Sequence, residues 1–116
     1  MSVVGHGQRT EHVLQDKRFF VERATQVEAL TELDSGESWL LQPRRLEGGG
    51  GRLWSPGIRL GVRPGSWFHL TECFGPVLGV VRAADLNHAI AVQNAPSFGL
   101  TAGLHALDPA EVSEWA

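Results

Sequence analysis

The residues Val77 to Arg82, Val-Leu-Gly-Val-Val-Arg, form a nearly continuous apolar run that constrains the fold more than any other feature. Such a run without polar alternation is typical of a strand buried on both faces, as in a parallel sheet. Asp85 is a predicted helix N-cap, and its helix should reach about Asn94. Leu100 to Leu107 predicts a second buried strand. The C-terminal half is therefore predicted to be α/β, with a βαβ unit.

Helices are also predicted at both ends of the chain. From Thr10 to Leu33 apolar residues recur at helical spacing, which predicts one amphipathic helix, or two helices broken near Lys17. Thr10 is the expected N-cap, and the turn at residues 34–36 should end the segment. Near the other end, Asp108 is expected to begin a helix with Pro109 in its first turn.

Two strands are predicted in the middle of the chain, at Ser38 to Pro43 and at Arg52 to Val62. The glycine-rich segment from Glu47 to Gly51 should be the loop between them. Its four glycines do not indicate a phosphate-binding loop. Such a loop leads from a strand into a helix, and Pro56 follows too closely for a regular helix to begin there.

Composition excludes several classes of protein. The 116 residues suffice for one small domain, and a net charge of −3 without a basic run argues against nucleic acid as a partner. A single cysteine, Cys73, excludes an internal disulfide and fits a reducing cytoplasm. No apolar stretch approaches the length of about 20 residues that spans a membrane. Five scattered histidines without paired spacing indicate no metal site.

The chemistry-bearing motif is Thr71-Glu72-Cys73-Phe74-Gly75-Pro76, directly before the apolar strand, with Asn94 and residues 98–103, Phe-Gly-Leu-Thr-Ala-Gly, further on. This two-part pattern resembles the aldehyde dehydrogenases. The segments Leu-Trp-Ser-Pro-Gly at 53–57 and Phe-His-Leu-Thr-Glu at 68–72 are similar to the 1-pyrroline-5-carboxylate dehydrogenases of that family. The enzyme is often the C-terminal half of a bifunctional bacterial proline-utilisation protein.

The resemblance implies that Glu72 and Phe74 bind the cofactor NAD. The Glu72 carboxylate would accept hydrogen bonds from the hydroxyls of the nicotinamide ribose, and the Phe74 ring would pack beside that ribose and the nicotinamide. The chemistry suits these roles, because a carboxylate offers two acceptor oxygens to a diol and a flat apolar ring excludes water. The alternative is that Glu72 is an ordinary surface acid and Phe74 a core anchor. Asn94, Gly99 and Gly103 are expected to be structural, Gly99 at a positive φ and Gly103 at a close backbone approach.

The resemblance covers residues 29–116 and implies a partial aldehyde dehydrogenase domain, whereas residues 1–28 are expected to be an unmatched N-terminal helical segment. The whole enzyme would oxidise L-glutamate γ-semialdehyde to L-glutamate in proline catabolism. In the family the cysteine nucleophile, the glutamate general base and the dinucleotide-binding fold lie upstream of the matched region. We therefore expect no catalytic residue in this chain. The alternative is a non-catalytic interaction protein, docked on a full-length dehydrogenase, or a small α/β binding module.

Two further side chains near the motif are candidates for catalysis. Cys73 is the only thiol, but no histidine adjoins it in sequence to lower its pKa, and a lone cysteine is more often buried and inert. His69 could pair with Cys73 or simply pack, and packing is favoured because a lone histidine carries no role by itself. The four tryptophans are spaced irregularly, which indicates packing rather than a stacking platform for bases.

Overall fold

The computed structural model describes residues 17–116 and has mixed α/β architecture, as the sequence predicted. The elements in chain order are β1 (Phe19–Phe20), α1 (Ala24–Thr31), β2 (Ser38–Leu41), a 3-10 turn (Gly49–Gly51), β3 (Leu53–Trp54), β4 (Gly57–Leu60), α2 (Trp67–Leu70), β5 (Val77–Gly79), α3 (Leu86–Asn94) and α4 (Pro109–Trp115). Within this described part of the chain, no helix has the length and apolar character needed to cross a membrane.

The strands form two small sheets. β1 pairs antiparallel with β3, and β4 lies between β2 and β5 in a three-stranded sheet. β2 is antiparallel to β4, whereas β5 is parallel to it, with Gly57 opposite Val77 and Arg59 opposite Gly79. The predicted parallel strand is confirmed, although it ends at Gly79 rather than Arg82. Val77 and Leu78 are only half-buried, because β5 is an edge strand of the sheet.

The predicted strand from Arg52 to Val62 is divided in two at Ser55-Pro56. Pro56 has no backbone N–H to donate to a sheet, so a continuous strand is disfavoured at this point. Ser55 instead bonds to Arg44, its backbone N–H donating to the carbonyl at 2.9 Å and its Oγ accepting from the Arg44 N–H at 2.8 Å. The interruption lets the chain leave the first sheet with β3 and enter the second with β4.

The predicted second strand from Leu100 to Leu107 is wrong. The segment has no regular secondary structure, and Leu100 and Leu107 are fully exposed. A strand requires a neighbour to satisfy its backbone groups, and nothing within residues 17–116 pairs with this segment. The predicted βαβ unit around α3 is therefore not formed. A strand, helix and parallel strand do occur one step earlier, where α2 lies in the connection from β4 to β5.

The N-terminal helix prediction is only partly correct. Thr10 lies outside the described residues. Phe19 and Phe20 form β1 rather than helix, because these aromatic residues pair with Trp54 and Leu53 across a two-stranded ribbon. α1 begins at Ala24, and the predicted boundary between residues 28 and 29 falls inside it.

The helix starts near the C-terminus are confirmed. The Asp85 carboxylate caps α3 by accepting a hydrogen bond from the His88 N–H at 2.8 Å. Asp108 caps α4 by accepting from the Ala110 N–H at 2.9 Å, with Pro109 as the first helical residue. These signals are local, since a carboxylate beside free helix N–H groups needs no distant partner.

A buried apolar cluster lies where α1 meets both sheets. Val21, Leu30 and Trp54 are each at most 6% exposed, and Val27 and Val77 pack against them. Trp54 belongs to the first sheet and Val77 to the second, so the cluster joins the two sheets through α1. The cluster therefore packs α1 beside β5, and the hydrogen bond from Gln26 to Phe74 brings the first turn of the helix to the loop that precedes β5.

Candidate functional site

The predicted site residues Glu72 and Phe74 lie on the loop of residues 71–76 that joins α2 to β5. Exposure alternates along this loop. Glu72 is exposed, Cys73 is buried at 9% exposure, and Phe74 is 63% exposed. Phe74 is thus not a core anchor. The Glu72 carboxylate and the Phe74 ring are both accessible to a bound molecule.

The downstream end of the loop is tied to the central strand β4. The Gly57 N–H donates to the Pro76 carbonyl at 2.9 Å, next to the first paired residues of β4 and β5. The Val77 N–H donates to the Gly75 carbonyl at 2.8 Å, which makes a tight turn at Gly75-Pro76. The predicted turn into the strand is therefore observed.

The upstream end of the loop follows α2, which His69 holds in place. The His69 Nδ1 accepts a hydrogen bond from the Gly65 N–H at 2.8 Å, and Nε2 lies 2.8 Å from the Val92 carbonyl of α3. We assign the proton to Nε2, because Nδ1 serves as an acceptor and the carbonyl requires a donor. His69 therefore bonds to the backbone on both sides rather than to Cys73. Its packing role, favoured from the sequence, agrees with these contacts.

Cys73 lies between the two site residues but points into the interior. Burial raises the pKa of its thiol, an effect that the charge of Arg59 opposes and that of Glu28 reinforces. Its Sγ lies 3.6 Å from the Thr71 carbonyl. The thiol is therefore held protonated and inaccessible, which are poor properties for a nucleophile.

Gln26 is a buried residue of the site that the sequence reasoning missed. Gln26 is the third residue of α1. Its side-chain Oε1 accepts hydrogen bonds from the N–H groups of Glu22 and Arg23, each at 2.9 Å. Its Nε2 donates to the carbonyl of Phe74. A signal was present in the sequence, because glutamine at the third helical position often bonds back to the N-cap. The long-range bond to Phe74 carried no such signal.

The backbone of Phe74 has an unusual conformation. Its φ of 52° makes it the sole non-glycine residue with a positive φ in the described part of the chain. A side chain in this left-handed region costs about 1–3 kcal/mol, and surrounding contacts must hold it there. One such contact is the bond from Gln26, and another is the guanidinium of Arg23, which lies 4.9 Å from the centre of the Phe74 ring.

The downstream half of the sequence motif does not contribute to the site. Asn94 is the last residue of α3, and residues 98–103 have no regular secondary structure. The expected roles of Gly99 and Gly103 are wrong in this structure. Gly99 does not have a positive φ, and a Cβ built on Gly103 would meet no atom within 4 Å. Both roles depend on a packed strand that is not formed here.

The exposed pair on the loop suits a diol next to a flat ring. A carboxylate can accept hydrogen bonds from two neighbouring hydroxyls, and an aromatic face packs against a planar heterocycle. The residues present therefore fit the nicotinamide riboside part of NAD. Across residues 17–116, no three side chains of histidine, cysteine, aspartate or glutamate come together as metal ligands would.

Comparison with protein families and curated proteins identifies aldehyde dehydrogenases as relatives. The family model described as "Aldehyde dehydrogenase family" matches residues 14–116. The chain is 44% identical over 73 residues to an N-succinylglutamate 5-semialdehyde dehydrogenase of Chromobacterium violaceum, a match that covers 60% of this chain and 14% of that protein.

Solved structures extend the similarity to the fold. The chain matches Proline Utilization A from Corynebacterium freiburgense at 53% identity and a TM-score of 0.78, over 83% of this chain and 10% of that one. It also matches a 1-pyrroline-5-carboxylate dehydrogenase at 26% identity and a TM-score of 0.62, over 80% of this chain and 18% of that one. The chain thus spans between a tenth and a fifth of the length of these relatives.

Proposed function

Because this chain belongs to the aldehyde dehydrogenase family, we propose that it is part of an NAD-dependent enzyme that oxidises L-glutamate γ-semialdehyde to L-glutamate. The observation that carries the proposal is the anchored loop that exposes Glu72 and Phe74 together. The resemblance of their motif to the family implies that these two residues contact the nicotinamide ribose. The earlier alternative, that Phe74 is buried in the core, conflicts with its exposure.

The loop residues would hold the nicotinamide end of the cofactor. The Glu72 carboxylate accepts hydrogen bonds from the two ribose hydroxyls, and the Phe74 ring covers one side of the sugar and the adjoining heterocycle. NAD, when bound, supplies the hydride acceptor of the oxidation. The role of this chain's residues is to orient the nicotinamide and to exclude water from it.

The choice of substrate rests on the relatives. Proline Utilization A is matched at 53% identity, and a 1-pyrroline-5-carboxylate dehydrogenase is matched over 80% of the chain. Pyrroline-5-carboxylate is the cyclic form of glutamate γ-semialdehyde. One curated relative acts, by its name, on a succinylated form of the same semialdehyde, and another, a 2,5-dioxopentanoate dehydrogenase, acts on a related one. We propose a glutamate-type semialdehyde as the substrate class because three of these four relatives favour it, and proline breakdown is the process in which we place it.

We propose that the 116 residues supply neither the nucleophile nor the general base of this reaction. Cys73 is the only thiol of the chain and is buried with a raised pKa. The isolated chain should therefore form no NADH from the semialdehyde. As a free, unpaired thiol, Cys73 also fits the reducing cytoplasm, which is the location we propose.

The test is to find the protein in its source cells and measure its activity. Antibodies against the peptide of residues 57–68 would give the mass of the native product by immunoblot. We expect a band several times larger than 12.6 kDa, in fractions that reduce NAD with pyrroline-5-carboxylate. NADH formation by the purified 116-residue chain, abolished by Cys73→Ser, would contradict the proposal. So would a large native product that uses only succinylated glutamate semialdehyde.

Two observations favour a second function. The residues from Leu100 to Leu107 leave two leucines fully exposed, and β5 presents an open sheet edge. Both could dock on a full-length dehydrogenase, or the chain could be a small binding module. A monodisperse chain with a single cooperative thermal transition would support such a module. Aggregation through the open edges would support a segment of a larger enzyme.

A further inference from the structure

We propose that Gln26 is a positioning residue that holds the cofactor-binding loop in its working conformation, an inference that rests on the proposed role of Glu72 and Phe74. Gln26 is 7% exposed and is one of few buried polar residues in the described part of the chain. It lies 48 residues from Phe74 in sequence. Its side chain is the direct polar link between α1 and the loop.

The orientation of the Gln26 side-chain amide is fixed by hydrogen bonds at the start of α1. Oε1 accepts from the N–H groups of Glu22 and Arg23, which lie ahead of the helix and fix the orientation of the amide. Because Oε1 accepts both of these bonds, the NH₂ group of the amide is left for another partner. It donates to the carbonyl of Phe74. The bonds at the start of α1 therefore orient the Nε2 donor of Gln26 independently of the loop.

Phe74, whose carbonyl accepts this bond, has a backbone conformation that other contacts must stabilise. Phe74 has a φ of 52°, so its peptide groups are turned in a direction that a non-glycine residue rarely adopts. The hydrogen bond to its carbonyl stabilises that turned peptide. The aliphatic part of Gln26 also lies close to Gly75, where a Cβ would approach the Cβ and Cγ of Gln26 at 3.4 Å. Gln26 thus bonds to the Phe74 carbonyl and lies beside Gly75, the residue that follows.

The consequence concerns the direction of the two site side chains. Glu72 and Phe74 are exposed, whereas Cys73 between them is buried. The φ angle of Phe74 sets the direction of its Cα–Cβ bond relative to the preceding residues. If Phe74 relaxes from a φ of 52° to the usual negative values, its ring therefore turns relative to Glu72. A ligand that requires both side chains would then bind more weakly, although neither residue has been changed.

The experiment compares Gln26→Met with a matched control, Gln93→Met. Gln93 is also a helical glutamine that forms a side-chain hydrogen bond, accepting from Trp115 Nε1 at 3.1 Å, but it lies in α3 and its partner lies in α4 rather than in the loop. Two quantities are measured by NMR on the full chain. The Cα and Cβ shifts of Phe74 report its backbone conformation, and titration with nicotinamide mononucleotide, followed at the Glu72 amide, reports binding.

We expect Gln26→Met to shift the Phe74 signals away from left-handed values and to weaken mononucleotide binding about fivefold, the effect of one typical hydrogen bond. Gln93→Met should change neither quantity. A purely structural role for Gln26 predicts lower stability with unchanged Phe74 shifts and unchanged binding. That result, or a wild-type spectrum in which Phe74 has no left-handed signature, would overturn the inference.

A second variant keeps the inference testable if Gln26→Met does not fold. Gln26→Glu at pH 8 retains an acceptor for Glu22 and Arg23 but replaces the donor to Phe74 with an oxygen, so α1 should form while the loop loses its anchor. Unchanged Phe74 shifts in this variant would also overturn the inference. A different result would contradict the proposed cofactor contact itself. In that case, nicotinamide mononucleotide would not change the amide chemical shift of Glu72 in the wild-type chain.

Discussion

The guanidinium of Arg59 and the carboxylate of Glu37 form an ion pair in which both side chains are only 1% exposed. Arg59 lies on β4 and also donates to the Ala29 carbonyl of α1 at 2.9 Å, so the pair connects the helix to the sheet. The Phe68 ring covers the guanidinium, with its centre 4.5 Å away. Arg59 Nε and Glu37 Oε2 have no hydrogen-bond partner.

Removing only the arginine should destabilise the fold strongly. Arg59→Met leaves the Glu37 carboxylate buried without its partner, and such a change costs about 3–5 kcal/mol. The measurement is the free energy of unfolding in urea. The double variant Arg59→Met with Glu37→Met should recover much of that loss, because two apolar side chains replace a pair that is itself incompletely bonded. A double variant less stable than Arg59→Met would contradict this account.

Gly79 is predicted to be intolerant of any side chain. A Cβ at this position would lie 2.3 Å from Cε2 of Phe68 and 3.3 Å from a methyl group of Val62. Gly79→Ala should therefore lower the free energy of unfolding by about 1–3 kcal/mol through overpacking. Gly99→Ala is the matched control, since its Cβ would meet nothing within 4 Å and its φ is not positive. Equal stabilities of the two variants would show that the Phe68 contact is unimportant.

Cys73 should make the fold less stable at alkaline pH. Burial raises the pKa of its thiol above that of the unfolded chain, so between the two pKa values the unfolded state releases the proton first. Its contribution to stability is thus intact below the ordinary thiol pKa of about 8.5 and falls as the pH rises toward the folded value. Cys73→Ala should flatten this decline in urea titrations from pH 7 to pH 10. An unchanged pH dependence would show that another group causes it.

The Glu72 carboxylate should contribute most of the affinity for the nicotinamide ribose. Glu72→Gln replaces one acceptor oxygen with an amide group and removes the charge, so binding of nicotinamide mononucleotide should weaken about tenfold. Glu114→Gln, an exposed change of the same charge on α4, controls for net charge and should leave binding unaltered. Equal effects of the two variants would point to bulk electrostatics instead of a ribose contact.

Much of the candidate site was predictable, because its signals are short and local. Glu72, Phe74 and the Gly75-Pro76 turn form one contiguous motif before an apolar strand, and the motif alone indicates the family. The long-range contacts of the supporting residues were not predictable. The apolar pattern of a helix or strand does not predict whether the polar side chains of Gln26 and Arg59 are buried. Gln26 bonds to Phe74, 48 residues away, and Arg59 bonds to Ala29, 30 residues away.

The sequence by itself determined where α3 and α4 begin, since Asp85, Asp108 and Pro109 act on the adjacent turn of backbone. The break before β4 was not predicted, although Pro56 was a local signal for it, because proline has no N–H to donate. Only the tertiary structure decided whether an apolar segment becomes a strand. Phe19 and Phe20 pair because Trp54 and Leu53 lie opposite, whereas Leu100 to Leu107 remains unpaired because residues 17–116 offer it no neighbour. A strand is stabilised by bonds to another strand, and that partner is not encoded in its own residues.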